Sequence, residues 1–173
     1  MTSIENLTQD ELGNLLNKCW MTHDGMWFFH CAQECGIEVT NRLNKSAIKS
    51  LAPFEVDRIA KVLGVNMPVE NFEEFRHFFE GASKLVIPDF MNATFEYKGD
   101  NRVSWSFKRG DCFAYTGIKR LGVIDRYECG VLHRISCWLD VLGIGHRFDP
   151  EIGSCHHYHT GKCSGHIDLF VNL

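Results

Sequence analysis

The spacing of apolar positions changes period near Pro88, and that change divides the chain into two unequal kinds of structure. Before Pro88 the apolar residues recur at helical spacing. Leu7-Thr8-Gln9-Asp10-Glu11-Leu12 has the form of a capping box, Thr8 with Glu11, and Leu7 and Leu12 are spaced for a hydrophobic staple. A second helix is expected over Trp20–Cys35, stopped by Gly36, and a third over Ile37–Ser50. Pro53 sits where the first turn of a fourth should begin, with Val56, Ile59, Ala60 and Leu63 as its apolar face. Asn71 and Glu74 repeat the capping pattern ahead of Phe75, Phe78, Phe79 and Ala82.

After Pro88 the pattern alternates. Phe95 and Tyr97 share one side of a strand, and Val103, Trp105 and Phe107 share one side of the next. Lys98-Gly99-Asp100-Asn101 between them is a turn signal. A short helix near Tyr115–Leu121 and a longer one over Arg126–Leu142 follow. Two strands, near His146–Phe148 and His166–Val171, close the chain. The fold class expected is therefore α+β in a single domain, 1–173. Its region 1–88 is mainly helical, and its region 89–173 carries a small antiparallel sheet packed on helices.

Composition narrows the function classes. A net charge of -4 gives no general reason to expect nucleic-acid binding. The acidic start, MTSIENLTQDEL, has no basic stretch leading into an apolar one, and no apolar run is long enough for a bilayer, so a cytoplasmic protein without membrane contact is expected. In a reducing compartment the eight cysteines are not a disulfide framework. Cys31 and Cys35, four apart on one helix face, with Cys19 a turn before the body of that helix, read as core thiols rather than a redox pair.

Cys112, Cys129, Cys155 and Cys163 read differently. The segment CHHYHTGKC, 155–163, folds back at Gly161 and can bring both of its sulfurs to one centre. Cys129 falls in the first turn of the long helix, where Asp125 and Glu128 have capping spacing and free amides favour a thiolate, the form that binds metal. A tetrahedral zinc ion is the natural occupant of such a set. The alternative is four buried thiols with no metal. Of His156, His157 and His159, at most one is expected to touch metal.

The stretch from Cys129 through CHHYHTGKC to IDLFV resembles the C-terminal half of the 4-vinyl reductase-type ligand-binding domain, found in phenol-responsive transcription activators and bacteriochlorophyll-related proteins. In the phenol sensors, two cysteines separated by seven residues join one about twenty-five residues upstream around a structural zinc. Cys155, Cys163 and Cys129 have that arrangement. The family's fourth ligand is a glutamate three residues before the middle cysteine. Ile152 stands there and Glu151 is one step away, so Cys112, Glu151, His156 and His166 all contend, with Cys112 favoured. A second resemblance covers nearly the whole chain. MTHDGMWFF, LNKSAIKSLAPFEVDR and DCFAYTGIKRLGVIDRYECG are similar to a group of bacterial and archaeal proteins related to the L-2-amino-thiazoline-4-carboxylate hydrolase-like family. That likeness implies opening of a C–N bond in a small cyclic or amide substrate.

Residues for such chemistry exist in the helical half. His23 and Asp24 lie near a helix start expected to be capped by Thr22, and Glu55 and Arg58 have salt-bridge spacing. If they converge beside Trp27 and Asn44, His23, Asp24 and Glu55 are the candidate catalytic residues. Arg58, with Trp27 and Asn44, would hold the ligand, a carboxylate being the natural partner of Arg58. The competing reading is caps and surface ion pairs. No phosphate loop and no GxSxG element is present. The expectation is a zinc-containing protein, with iron as the alternative metal, that binds a small organic ligand in a cavity between helices and sheet. It acts either as a hydrolase or as a sensor or carrier, with a homodimer left open.

Overall fold

The computed structural model describes residues 3–99 and 101–170, so the Asp100 and Val171 of the expected turn and last strand lie outside it. Thr8 caps the first helix as its sequence predicts. Its side chain accepts from the Glu11 amide, and the Glu11 carboxylate accepts from the Thr8 amide at 2.8 Å. That helix, α1, runs unbroken over Gln9–Cys35. The expected start near Trp20 is absent because Thr22 does not cap. Its hydroxyl donates instead to the Lys18 carbonyl one turn back, at 2.7 Å, which is compatible with a helix interior.

Gly36, at φ 78°, turns the chain directly into α2, Ile37–Leu63. Here too two expected helices are one, and Pro53 lies inside it rather than at its start. Asn71 caps α3, Phe72–Val86, as expected, accepting from the Glu74 amide at 3.0 Å. The long helix expected from Arg126 is shorter. A 3-10 turn, Ile124–Arg126, precedes α5, Gly130–Val141, whose N-cap is Cys129. The remaining helices are α4, Phe113–Arg120, and α6, His156–His159.

The strands β1, Ala93–Lys98, β2, Arg102–Phe107, β3, Gly145–Asp149, and β4, Cys163–Phe170, form one antiparallel sheet in the order β1-β2-β4-β3. Its inner face carries Val103 opposite Ile167, Trp105 opposite Gly165 and Phe107 opposite Cys163. Position 165 is glycine because a Cβ there would lie 2.7 Å from Pro150 and 2.9 Å from the Trp105 ring. On the outer face Asp168 is clamped by Arg102 at 2.7 Å and Arg147 at 2.9 Å.

Helices α3 and α5 cover the inner face. Phe79 packs edge-on against Phe95 at 5.0 Å and Trp138 at 6.5 Å, and Phe72 meets Tyr97 at 6.1 Å. Each fully buried aromatic or aliphatic side chain in this layer contributes on the order of 1.5–3 kcal/mol. Aromatic side chains thus pack into the layer where a ligand cavity was expected.

Candidate metal centre

Three cysteines occupy the same local position. Cys112, Cys129 and Cys155 are the N-caps of α4, α5 and α6, with φ/ψ of -65/113°, -65/107° and -67/111°. In that conformation each sulfur is turned toward the amides two and three residues ahead: Ala114 and Tyr115, Val131 and Leu132, His157 and Tyr158. None of these approaches closes a formal capping bond, yet each favours a negative sulfur. Cys163, the fourth, opens β4.

Distant pieces of chain bring the four together. Asn41 on α2 is 3% exposed and uses both ends of its amide, donating to the Arg126 carbonyl at 2.8 Å and accepting from the Glu128 amide at 3.2 Å. Lys45 adds an ion pair to Glu128 at 2.7 Å. The segment so anchored pairs with 153–154: the Cys129 amide donates to the Gly153 carbonyl at 2.7 Å, and Glu128 bridges Ser154. This sets Cys155 beside Cys129. The first amide of α5, on Gly130, donates to the buried Tyr127 hydroxyl at 2.9 Å. A side chain at 130 would require its neighbours to shift, since its Cβ would lie 2.8 Å from the Asn44 amide nitrogen and 3.1 Å from Ile48.

All four thiols, with Tyr127 and His157, line one enclosed cavity of about 10 Å³. That is room for a single water-sized occupant. It suits one ion and is too small for an iron–sulfur cluster. Among the described residues, no group of three or more His, Cys, Asp or Glu side chains is set to hold a metal ion, so the thiols are gathered without being closed on a centre. Shared lining and mutual repulsion nevertheless place them together. Burial pushes the Cys129 thiol up to about 12, and proximity to Cys112 and Cys155 adds to it. Burial likewise raises Cys163 strongly, followed by repulsion from Cys129, Cys112 and Cys155. Burial is also the first cause of the raised Cys112 and Cys155 values. Without a cation these thiols stay protonated; a cation reverses that.

His157 marks the same cavity independently. It is 1% exposed, and neither ring nitrogen has a hydrogen-bond partner. Burial lowers its basicity, so it lines the cavity as a neutral imidazole with its ring tilted against Tyr115 at 5.3 Å. Sequence reasoning grouped it with a solvated loop, and its neighbours in CHHYHTGKC carry no signal that separates it from His159. Of the other contenders for fourth ligand, two lie elsewhere. Glu151 is exposed, and His166 faces Asp149 and Asp168 on the outer sheet face at 3.8 Å from each. His156 lines the cavity but stacks on Trp105, at 6.1 Å.

Among the described residues no hydrogen bond or ion pair joins His23 or Asp24 to Glu55. His23 and Asp24 are exposed on α1, 3.7 Å apart. Desolvation raises Asp24, opposed by His23 and by Arg134. Glu55 pairs with Arg134, not Arg58. Both carboxylate oxygens accept from that guanidinium, and Oε2 also accepts from Trp138 Nε1 at 2.7 Å. Arg134 lies over the Trp20 ring at 4.6 Å. Arg58 is exposed, and Asn44 is half-buried against Gly130 at the cysteine-rich end of the molecule. Trp27, 64% exposed, lines an open groove of about 350 Å³ on α1 together with His23, Met26 and His30.

The chain matches a family of unknown function (DUF6125) over residues 5–156 and belongs to that family. No curated protein and no solved structure matches it. No helix among the described residues is long and apolar enough to cross a membrane.

Proposed function

We propose that this member of the DUF6125 family is a zinc protein that binds a small organic molecule, with Cys112, Cys129, Cys155 and Cys163 holding one tetrahedral ion. The observation that carries the metal reading is the meeting of four thiols, three on helix N-termini of matching backbone geometry, around a cavity the size of one ion. The neutral, unpartnered His157 on the same wall supports it. Four protein donors make the ion structural, and sulfur ligation lowers its Lewis acidity. On this reading it ties α4, α5, α6 and β4 together, in keeping with the likeness to 4-vinyl reductase-type domains. Iron in place of zinc uses the same four ligands.

The small-molecule face is the α1 groove beside His23 and Trp27, whose volume lies in the range of ligand sites. Binding is favoured over catalysis because Glu55, the expected base, has its carboxylate committed to Arg134 and Trp138. The hydrolase reading for C–N bonds then rests on His23 and Asp24 alone, and His23→Ala separates the two: lost turnover with retained affinity supports catalysis, lost affinity supports binding.

The metal is tested by elemental analysis of protein purified without chelators, with one zinc per chain expected. Cobalt exchanged into the site should give intense sulfur-to-metal absorption and tetrahedral ligand-field bands, weakened by Cys112→Ser. Protein free of transition metal that also fails to bind cobalt would end the proposal.

A further inference from the structure

The groove on α1 has one wall, since its lining comes from that helix alone. A ligand seated there stays largely in water, whereas small-molecule sites enclose most of their ligand. Something must supply the second wall, and the exposed face of α1 indicates what does so. Leu12, Leu16, Cys19, His23, Met26 and His30 are all exposed and follow one another at steps of 4, 3, 4, 3 and 4. That is the seven-residue repeat with which a helix receives another helix. The opposite side, at Met21 and Phe28, faces the body of the protein. Within the 12–30 face and its flanks, at Gly13, Leu15, Trp20, Thr22, Trp27 and Phe29, there is no Asp, Glu, Lys or Arg. A membrane-surface helix would carry basic flanks, and this one has none. Beyond this stretch the groove carries one carboxylate, Glu34, which an antiparallel pairing centred on residue 21 sets opposite Thr8; within residues 12–30 the face meets itself free of like-charge repulsion.

The spacing also reads the same in both directions about Met21. At one end stand three exposed leucines, Leu12 at 38%, Leu15 at 44% and Leu16 at 61%; at the other lies the groove, between Met26, Trp27 and His30. Knob and groove sit on one stripe of one helix, equidistant from its midpoint. Two copies related by a twofold axis there satisfy each other twice, as a closed dimer requires. The half-exposed Leu, Met and Trp side chains with Cys19, His23 and His30 amount to roughly 500 Å² per copy, or about 1,000 Å² for the pair. That is the lower limit for a specific interface.

We propose that two copies of the chain pair antiparallel through α1, with Leu12, Leu15 and Leu16 of one copy roofing the groove at Met26, Trp27 and His30 of the other. This rests on reading that groove as the small-molecule face, and it names what completes the site. Leu16 then faces Met26 of the second copy, and Cys19 faces His23.

The test is the solution mass of the full chain at concentrations up to about 100 μM, the range of a weak interface. The expected mass is twice the 19.9 kDa of one chain. Leu16→Lys and Met26→Glu should each weaken association at least tenfold, and the double variant should restore it, because each new Lys faces a new Glu across the axis. Val62→Glu, at an 85% exposed position on α2, should leave the dimer unchanged. A single-chain mass throughout overturns the proposal, as does a dimer indifferent to Leu16→Lys, or a double variant that stays monomeric. Monomeric protein that cosediments with lipid vesicles overturns it too. The groove is read separately by the fluorescence of anilinonaphthalene sulfonate on wild type and Trp27→Ala. An unchanged signal removes the ligand-face reading, and the mass data stand apart from it.

Discussion

Two helices of this protein sit at opposite extremes of enclosure. α1 runs for 27 residues and buries one of them, Phe28; α5 runs for 12 and buries six. Both are stable helices by local criteria, with α1 holding the better cap. What differs is what the surroundings do. α5 is wedged between α2 and the sheet, its first turn is fixed through Tyr127 and Gly130, and its middle is tied to α2 through Arg134, Trp138 and Glu55. α1 touches the body along one narrow side and leaves an apolar stripe in water. The lesson is that helix formation and helix burial are separable, and that an unburied apolar face points outward to something else.

The largest effect expected on this contrast comes from the proposed zinc ion. Cys129→Ser should abolish stoichiometric zinc. With free metal at 1,000 times its dissociation constant, that removes about 4 kcal/mol of stability, read as a lower midpoint of chemical denaturation and, with a chelator, no further loss. Zinc should also be released as pH falls, because raised thiol pKa values let protons compete with the ion. A variant that kept both metal and stability would break the account of the C-terminal half.

Next is Glu55→Ala. Removing this carboxylate leaves the part-buried Arg134 guanidinium and the buried Trp138 indole N–H without their partner, at a cost of about 1–3 kcal/mol. A small change in the unfolding midpoint would show that the α2–α5 contact is not held as described.

A smaller effect, confined to acid, is expected at Asp168. Arg147 first and then Arg102 hold its carboxyl below the ordinary range, so the folded pKa lies under the unfolded one. Stability from this group is therefore present above the unfolded value and lost as pH falls through the folded one. Asp168→Asn should flatten that acid limb, and an unchanged pH–stability curve would contradict it.

The smallest effect is reserved for α1. Thr8→Ala removes its cap and should cost about 1 kcal/mol. Amide exchange should be fastest along the N-terminal turns of α1 and slowest in α5, and the reverse order would dissolve the comparison.

Much of this architecture is legible without coordinates. The Thr8 and Asn71 caps, the change of period at Pro88, the paired strands and the Cys129–Cys155–Cys163 spacing all rest on neighbours in sequence. Thr22 and Pro53 misled because a hydroxyl or a proline near an expected start looks the same from inside a continuous helix. The polar residues of α1 and α2 misled for another reason. Glu55 chose Arg134, 79 residues away, over Arg58 one turn along, and nothing in the local pattern records that choice. His157 was invisible for the same reason, since burial of one histidine among three depends on what folds over it.

Sequence by itself determined the helix caps at Thr8 and Asn71, the change of period at Pro88 and the spacing of the cysteines, because hydrogen bonds and side-chain periods act between near neighbours. Tertiary structure decided that Cys112, favoured among several contenders, lines the same cavity as the other three thiols, that Glu55 is spent on Arg134, and that aromatic side chains pack between helices and sheet. Those outcomes depend on which distant segments meet when loops such as 126–129 and 151–155 are pinned together. Such a meeting is a property of the whole packed chain, not of any window along it.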